Sequence, residues 1–150
     1  MDFAMDKEQV DFRSAFTGSF SGVLRWEQLD ELWRRLRDDA AGDWYLYAVG
    51  ETPPTDSMSK YEVIQFIEQV DELLRREHDE QYCGIVYVDD VNAPSFVKIF
   101  DPNNLGVSCG SSDNPPLPGW ILSKLPPVDL QAPMPQPGNR RRWWQRLFAS

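Results

Sequence analysis

The chain has 150 residues, with 15 basic and 24 acidic side chains, a formal charge of −9, 41% hydrophobic and 13% aromatic residues. That is enough apolar material to give one domain a core, which argues against a disordered chain. The charge is uneven: residues 139–150 hold four arginines and no acid, so the rest of the chain carries −13, a balance that repels nucleic-acid phosphates and anionic lipid.

No apolar run approaches the roughly 20 residues of a membrane-spanning helix. The opening MDFAMDKEQVDF lacks the basic start and apolar stretch of a secretory leader. With two cysteines, Cys83 and Cys109, and no export signal, a reducing cytoplasm is the expected home.

Residues 1–15 are polar with scattered apolars and are expected to be loosely ordered. Alternation of Phe16, Gly18, Phe20, Gly22 and Leu24 suggests a short strand weakened by its glycines. Trp26, Leu29, Leu32, Trp33 and Leu36 recur at helical spacing, which predicts a helix over Arg25–Arg37 with arginines in its last turn. Asp43–Gly50 reads as a strand with Trp44, Leu46 and Ala48 on one face and Tyr45, Tyr47 and Val49 on the other. Two apolar faces place it centrally in a sheet.

Ser59 and Glu62 form an S-x-x-E capping box, opening a helix to Glu77. Its buried face is assigned to Tyr61, Ile64, Ile67, Val70, Leu73 and Leu74, with Val63 and Phe66 beside it. Tyr82–Val88 and Ser95–Phe100 follow as strands, and the short connector Asp89–Pro94 makes an antiparallel hairpin natural. After a polar loop, Trp120, Ile121, Leu122 and Leu125 return as a strand or an anchoring segment.

The fold class expected is therefore α+β or small α/β: a mixed sheet of three to four strands with two helices packed on it. The element order resembles that of a thioredoxin-like domain in topology alone, since no C-x-x-C opens a helix. Four segments follow: 1–15 loosely ordered, 16–125 globular, 126–138 a proline-rich linker, and 139–150 a basic-aromatic tail.

The chemistry is mostly exclusion. Phosphate-loop and dinucleotide glycine motifs are absent. His78, Cys83, Cys109 and Asp101 match no zinc spacing, and Asp89, Asp90 and Asn92 lack the glycine and bidentate Glu of a calcium loop. No cofactor and no metal are expected. Cys109, between Ser108 and Gly110, is the candidate reactive thiol, with His78 or Cys83 as its helper in a small thiol-dependent enzyme or redox protein. Cys83 itself reads as a core residue.

The tail carries the sharpest signal. Drawn as a helix, Trp143, Trp144, Leu147 and Phe148 share one face, with Arg140, Arg141, Arg142 and Arg146 largely around the other. So short a helix needs a surface to fold on. A protein partner, an anionic membrane and the chain's own acidic body compete for it. The leading reading is a cytoplasmic accessory or adaptor protein: the body recognises one protein partner, the tail recruits a second surface, and no nucleic acid is bound. Peripheral membrane attachment is the further alternative. Recognition by the body is assigned to the loops at Asp89–Pro94 and after Asp101, with Asp101, Asn103, Asn104 and Cys109 as candidate contacts. Oligomeric state is left open.

Overall fold

The computed structural model describes residues 11–104 and 117–130. Residues 11–16 are helical (α1). The remaining elements are β1 (Ser21–Val23), α2 (Trp26–Asp38), β2 (Tyr45–Ala48), α3 (Lys60–Glu77), β3 (Val86–Val88), β4 (Phe96–Ile99) and β5 (Trp120–Ser123). A 3-10 turn spans Pro102–Asn104.

The five strands form one sheet in the order β1-β3-β4-β5-β2, and every pairing is antiparallel. The class is α+β. Two expectations change. The sheet has five strands, because residues 120–123 insert between β4 and β2. The thioredoxin-like order does not carry over, because β1, α2 and β2 form no parallel unit: the two strands sit at opposite edges.

Both long helices form where the apolar period says they should. α2 buries Leu29, Leu32, Trp33 and Leu36. Gln28 Oε1 accepts from the Leu24 and Arg25 N–H groups at 3.1 and 2.9 Å, satisfying donors at its start. α3 keeps its capping box: Glu62 N–H donates to Ser59 Oγ at 3.2 Å, and Ser59 N–H to Glu62 Oε1 at 2.9 Å. Its buried stripe is Val63, Phe66, Ile67, Val70, Leu73 and Leu74. Tyr61 is exposed instead: the stripe is centred on Phe66 and Val70, which turns position 61 to solvent.

Strand register divides the sheet into cross-strand rows. Val23, Val86, Ile99, Trp120 and Ala48 form one, and Val88, Val97, Leu122 and Leu46 lie in another. Both rows belong to the main core with α2 and α3. On the opposite face Gly22, Tyr87, Lys98, Ile121 and Tyr47 line up across all five strands. Here Phe12, Tyr47, Val49, Phe96 and Ile121 form a second cluster, joined by Phe16, Phe20, Leu117, Leu125, Val128 and Leu130.

That second cluster corrects three expectations. Phe12 is fully buried against Phe96, their ring centres 5.3 Å apart, so the body begins before residue 16, and Phe16 lies in a helix. Residues 126–130 also belong to the body: Pro127 is buried, and Leu130 N–H donates to the Tyr47 hydroxyl at 3.1 Å. And β2, read as central, is an edge strand. Its two apolar faces are accounted for by layers on both sides of the sheet rather than by strands on both sides.

Candidate functional site

The β3–β4 turn is built by its own acids. Asp89 Oδ1 accepts from Ser95 N–H at 3.0 Å and Phe96 N–H at 3.1 Å, and its Oδ2 from Ser95 Oγ at 2.5 Å. Asp90 Oδ1 accepts from Asn92 N–H at 2.9 Å. These bonds push Val91 and Asn92 outward toward α2, where Arg35 donates to Asn92 O at 3.2 Å.

That single bridge separates two clefts along α2. One, of about 230 Å³, lies between α2 and the edge strand β1 and is lined by Gly22, Val23, Gln28, Glu31, Leu32 and Val91 with the bridging pair. The other, of about 370 Å³, lies beyond the bridge against Arg34, Asp38, Asp39, Pro94, Ser95 and Lys124. Its charges are paired: Arg34 with Glu31 and Asp38, and Lys124 with Asp39. The first cleft has an apolar floor and the second a rim of alternating charge. β1 forms the open side of the sheet here. Leu24, just past its end, is 61% exposed, Tyr82 62% and Val91 48%.

The loop assigned to recognition after Asp101 is described only as far as residue 104. Asp101 is buried, and its Oδ1 accepts from Asn103 N–H at 2.9 Å. Asn103 Nδ2 donates to Glu77 Oε1 at 2.8 Å. The start of the loop is thereby tied to the end of α3. Asn104 closes the 3-10 turn. Cys109 lies outside the described residues, as do Arg140, Arg141, Arg142, Trp143, Trp144, Arg146, Leu147 and Phe148.

His78 and Cys83 are brought close, but not as base and nucleophile. The His78 ring Nε2 is 2.8 Å from the Cys83 carbonyl oxygen, so it carries the proton and donates. The ring also leans on Trp26, centres 6.3 Å apart. Cys83 precedes β3; its N–H donates to Leu24 O at 2.7 Å, and its thiol is buried. Burial pushes that thiol above its usual pKa, away from the thiolate that attacks or ligates. Among the described residues no group of His, Cys, Asp and Glu is placed to hold a metal ion, and no helix is long and apolar enough to cross a membrane.

The sequence pointed to the turn at 89–94 but not to the exposure of Leu24 and Tyr82 near the end of β1. Leu24 ends the alternation read at 16–24 and Tyr82 opens the strand read at 82–88, and only the pairing of β1 with the segment before β3 brings the two regions together. Lys98 was also passed over, although a lone cation inside SFVKIF is a legible irregularity in a strand buried on both faces.

The fold and the cleft thus define an α+β domain with an all-antiparallel sheet and a cleft beside one edge strand. Compared with protein-family models, with curated proteins and with solved structures, the chain matches none.

Proposed function

We propose that this is a cytoplasmic accessory protein whose body receives a protein partner in the clefts beside α2, while the tail at 139–150 recruits a second surface. The observation that carries the reading is the coincidence of an apolar-floored cleft with an open edge strand flanked by exposed Leu24, Tyr82 and Val91. An edge strand presents unpaired backbone groups, and an extended partner segment adds to it by main-chain hydrogen bonds. Side chains of that segment gain selectivity from the cleft, where Val23 and Leu32 offer apolar contact and Glu31 and Arg35 offer charge. Two weak contacts on one chain strengthen each other through effective concentration, which gives the tail its use.

The test compares three full-length proteins by quantitative co-purification from cells that make them: the parent, Val91→Asp, and a chain lacking residues 139–150. The charge in the cleft is expected to lower recovery of one set of proteins about tenfold, the loss of one strong apolar contact. The truncation is expected to lower a different set. If both variants retain every partner of the parent, the reading fails.

A further inference from the structure

Lys98 stands in the middle of β4, itself the middle strand of the sheet, on the face turned away from α2 and α3. Its ammonium lies 3.9 Å from the ring centre of Phe20 and 4.2 Å from that of Phe16. Those rings are held by Phe96, whose centre is 5.6 Å from Phe20 and 6.4 Å from Phe16. Tyr87, its neighbour in the cross-strand row, turns its ring over Gly22, where an added Cβ would meet the ring at 3.2 Å. The glycine therefore lets Tyr87 lean toward the sheet edge rather than over the lysine.

Arg13, Arg25, Arg37 and Lys60 make no ion pair among the described residues but stand exposed to water; the contrast is with the ion-paired cations. Arg34, Arg35, Arg75, Arg76 and Lys124 each meet a carboxylate. Lys98 is half-buried, yet among the described residues its nitrogen has no carboxylate within 4 Å and no hydrogen-bond acceptor, in a chain with 24 acidic side chains. Ring faces attract the charge but supply no lone pairs for the ammonium's three donors. Burial lowers the lysine's pKa, the mark of a charge that its surroundings leave undercompensated.

We infer that Lys98, Phe16 and Phe20 form a binding site for a small organic carboxylate with an apolar body. The carboxylate supplies the missing counter-charge and acceptors, and the hydrocarbon part lies along the two rings. The rings flank the ammonium at 3.9 and 4.2 Å, which suits a slim ligand rather than a bulky surface. This site faces away from the clefts beside α2 and stands independently of the partner reading.

The experiment titrates the full-length protein with phenylacetate and follows the Lys98 side chain and the rings of Phe16 and Phe20 by NMR. Saturable shifts at all three are expected. They are expected to vanish in Lys98→Met, to persist in weakened form in Phe20→Leu, and to be absent with 2-phenylethanol, which keeps the ring and lacks the charge. The Phe20→Leu protein keeps the cation, so it tests the site even if Lys98→Met folds poorly. Non-saturating shifts, or equal shifts with 2-phenylethanol, overturn the inference. Tighter binding of an acidic hexapeptide than of phenylacetate overturns the small-molecule assignment.

Discussion

The Tyr47 hydroxyl accepts from Leu130 N–H at 3.1 Å and lies 3.5 Å from Asp129 Oδ1, so one buried phenol fastens residues 129 and 130 to the sheet. Tyr47→Phe is expected to cost about 1 kcal/mol, the net worth of one such bond, and to speed hydrogen exchange at the Leu130 amide. Burial raises this phenol above its usual value near 10, and the Cys83 thiol above one near 8.5. A pKa raised by folding gives stability that is whole below the unfolded value and lost as pH climbs through the folded one. The urea midpoint should therefore fall above about pH 9, and Tyr47→Phe should remove the part of that fall above about pH 10. Lys98 works in the opposite sense: folding lowers its pKa, so stability rises as pH passes upward through its folded value, and Lys98→Met should cancel that rise. Asp89 is the other residue with concentrated responsibility. Asp89→Ala strips the acceptors of Ser95 and Phe96 and should cost about 2 kcal/mol in denaturant unfolding, the range for bonds to a charged group.

The two long helices meet along a polar seam outside the core. Arg75 reaches Asp30 at 2.6 Å and Asp71 at 2.8 Å, stands 4.9 Å from the Trp26 ring centre, and shares Asp71 with Trp33 Nε1 at 3.0 Å. The pairs are solvent-accessible, so Arg75→Met should cost less than about 1 kcal/mol. Phe66→Ala, at a fully buried position of the same helix pair, should cost about 3–5 kcal/mol. Chemical denaturation of the two variants side by side checks the ratio. These helices were legible in the sequence because a period near 3.6 and a capping box are local signals. Strands were legible as strands for the same reason: Leu46 and Tyr47 alternate faces whatever their neighbours are. Their places in the sheet were not. β2 reads the same whether its apolar faces meet helices, a returning tail segment or other strands, so its position at an edge could not be read from Trp44–Val49 alone. Tyr61 misled because an aromatic at one turn's offset looks like part of a stripe whose centre lies elsewhere.

Across the whole molecule, the sheet is covered on both faces, and the second cover is assembled from segments that look weak in isolation. α1 contributes Phe12, while the proline-containing stretch after β5 contributes Leu125, Val128 and Leu130. Removing residues 1–16 should expose Phe96 and Ile121. The expected result is an unfolding free energy lower by at least about 3 kcal/mol, the cost of losing one buried phenylalanine, with a dye that reports exposed apolar surface binding the truncated chain. Phe12, Ala15 and Phe16 stand at i, i+3 and i+4 and all join this cluster, but a period carried by three residues over barely one turn is too short to stand out in the sequence. The acidic body and the four-arginine tail, by contrast, were plain from composition. The pairing of β2 with β5 has one more consequence. Among the described residues β2 pairs with one strand, about 70 residues later in the chain, so during synthesis Leu46 and Tyr47 must wait for that partner until residues 120–123 have emerged. Closing so long a loop is entropically slow, which makes β5 a timing device. The nascent chain holds a sticky, half-built edge for most of its production, and a pause before residue 120 is when it would most need shielding from its neighbours.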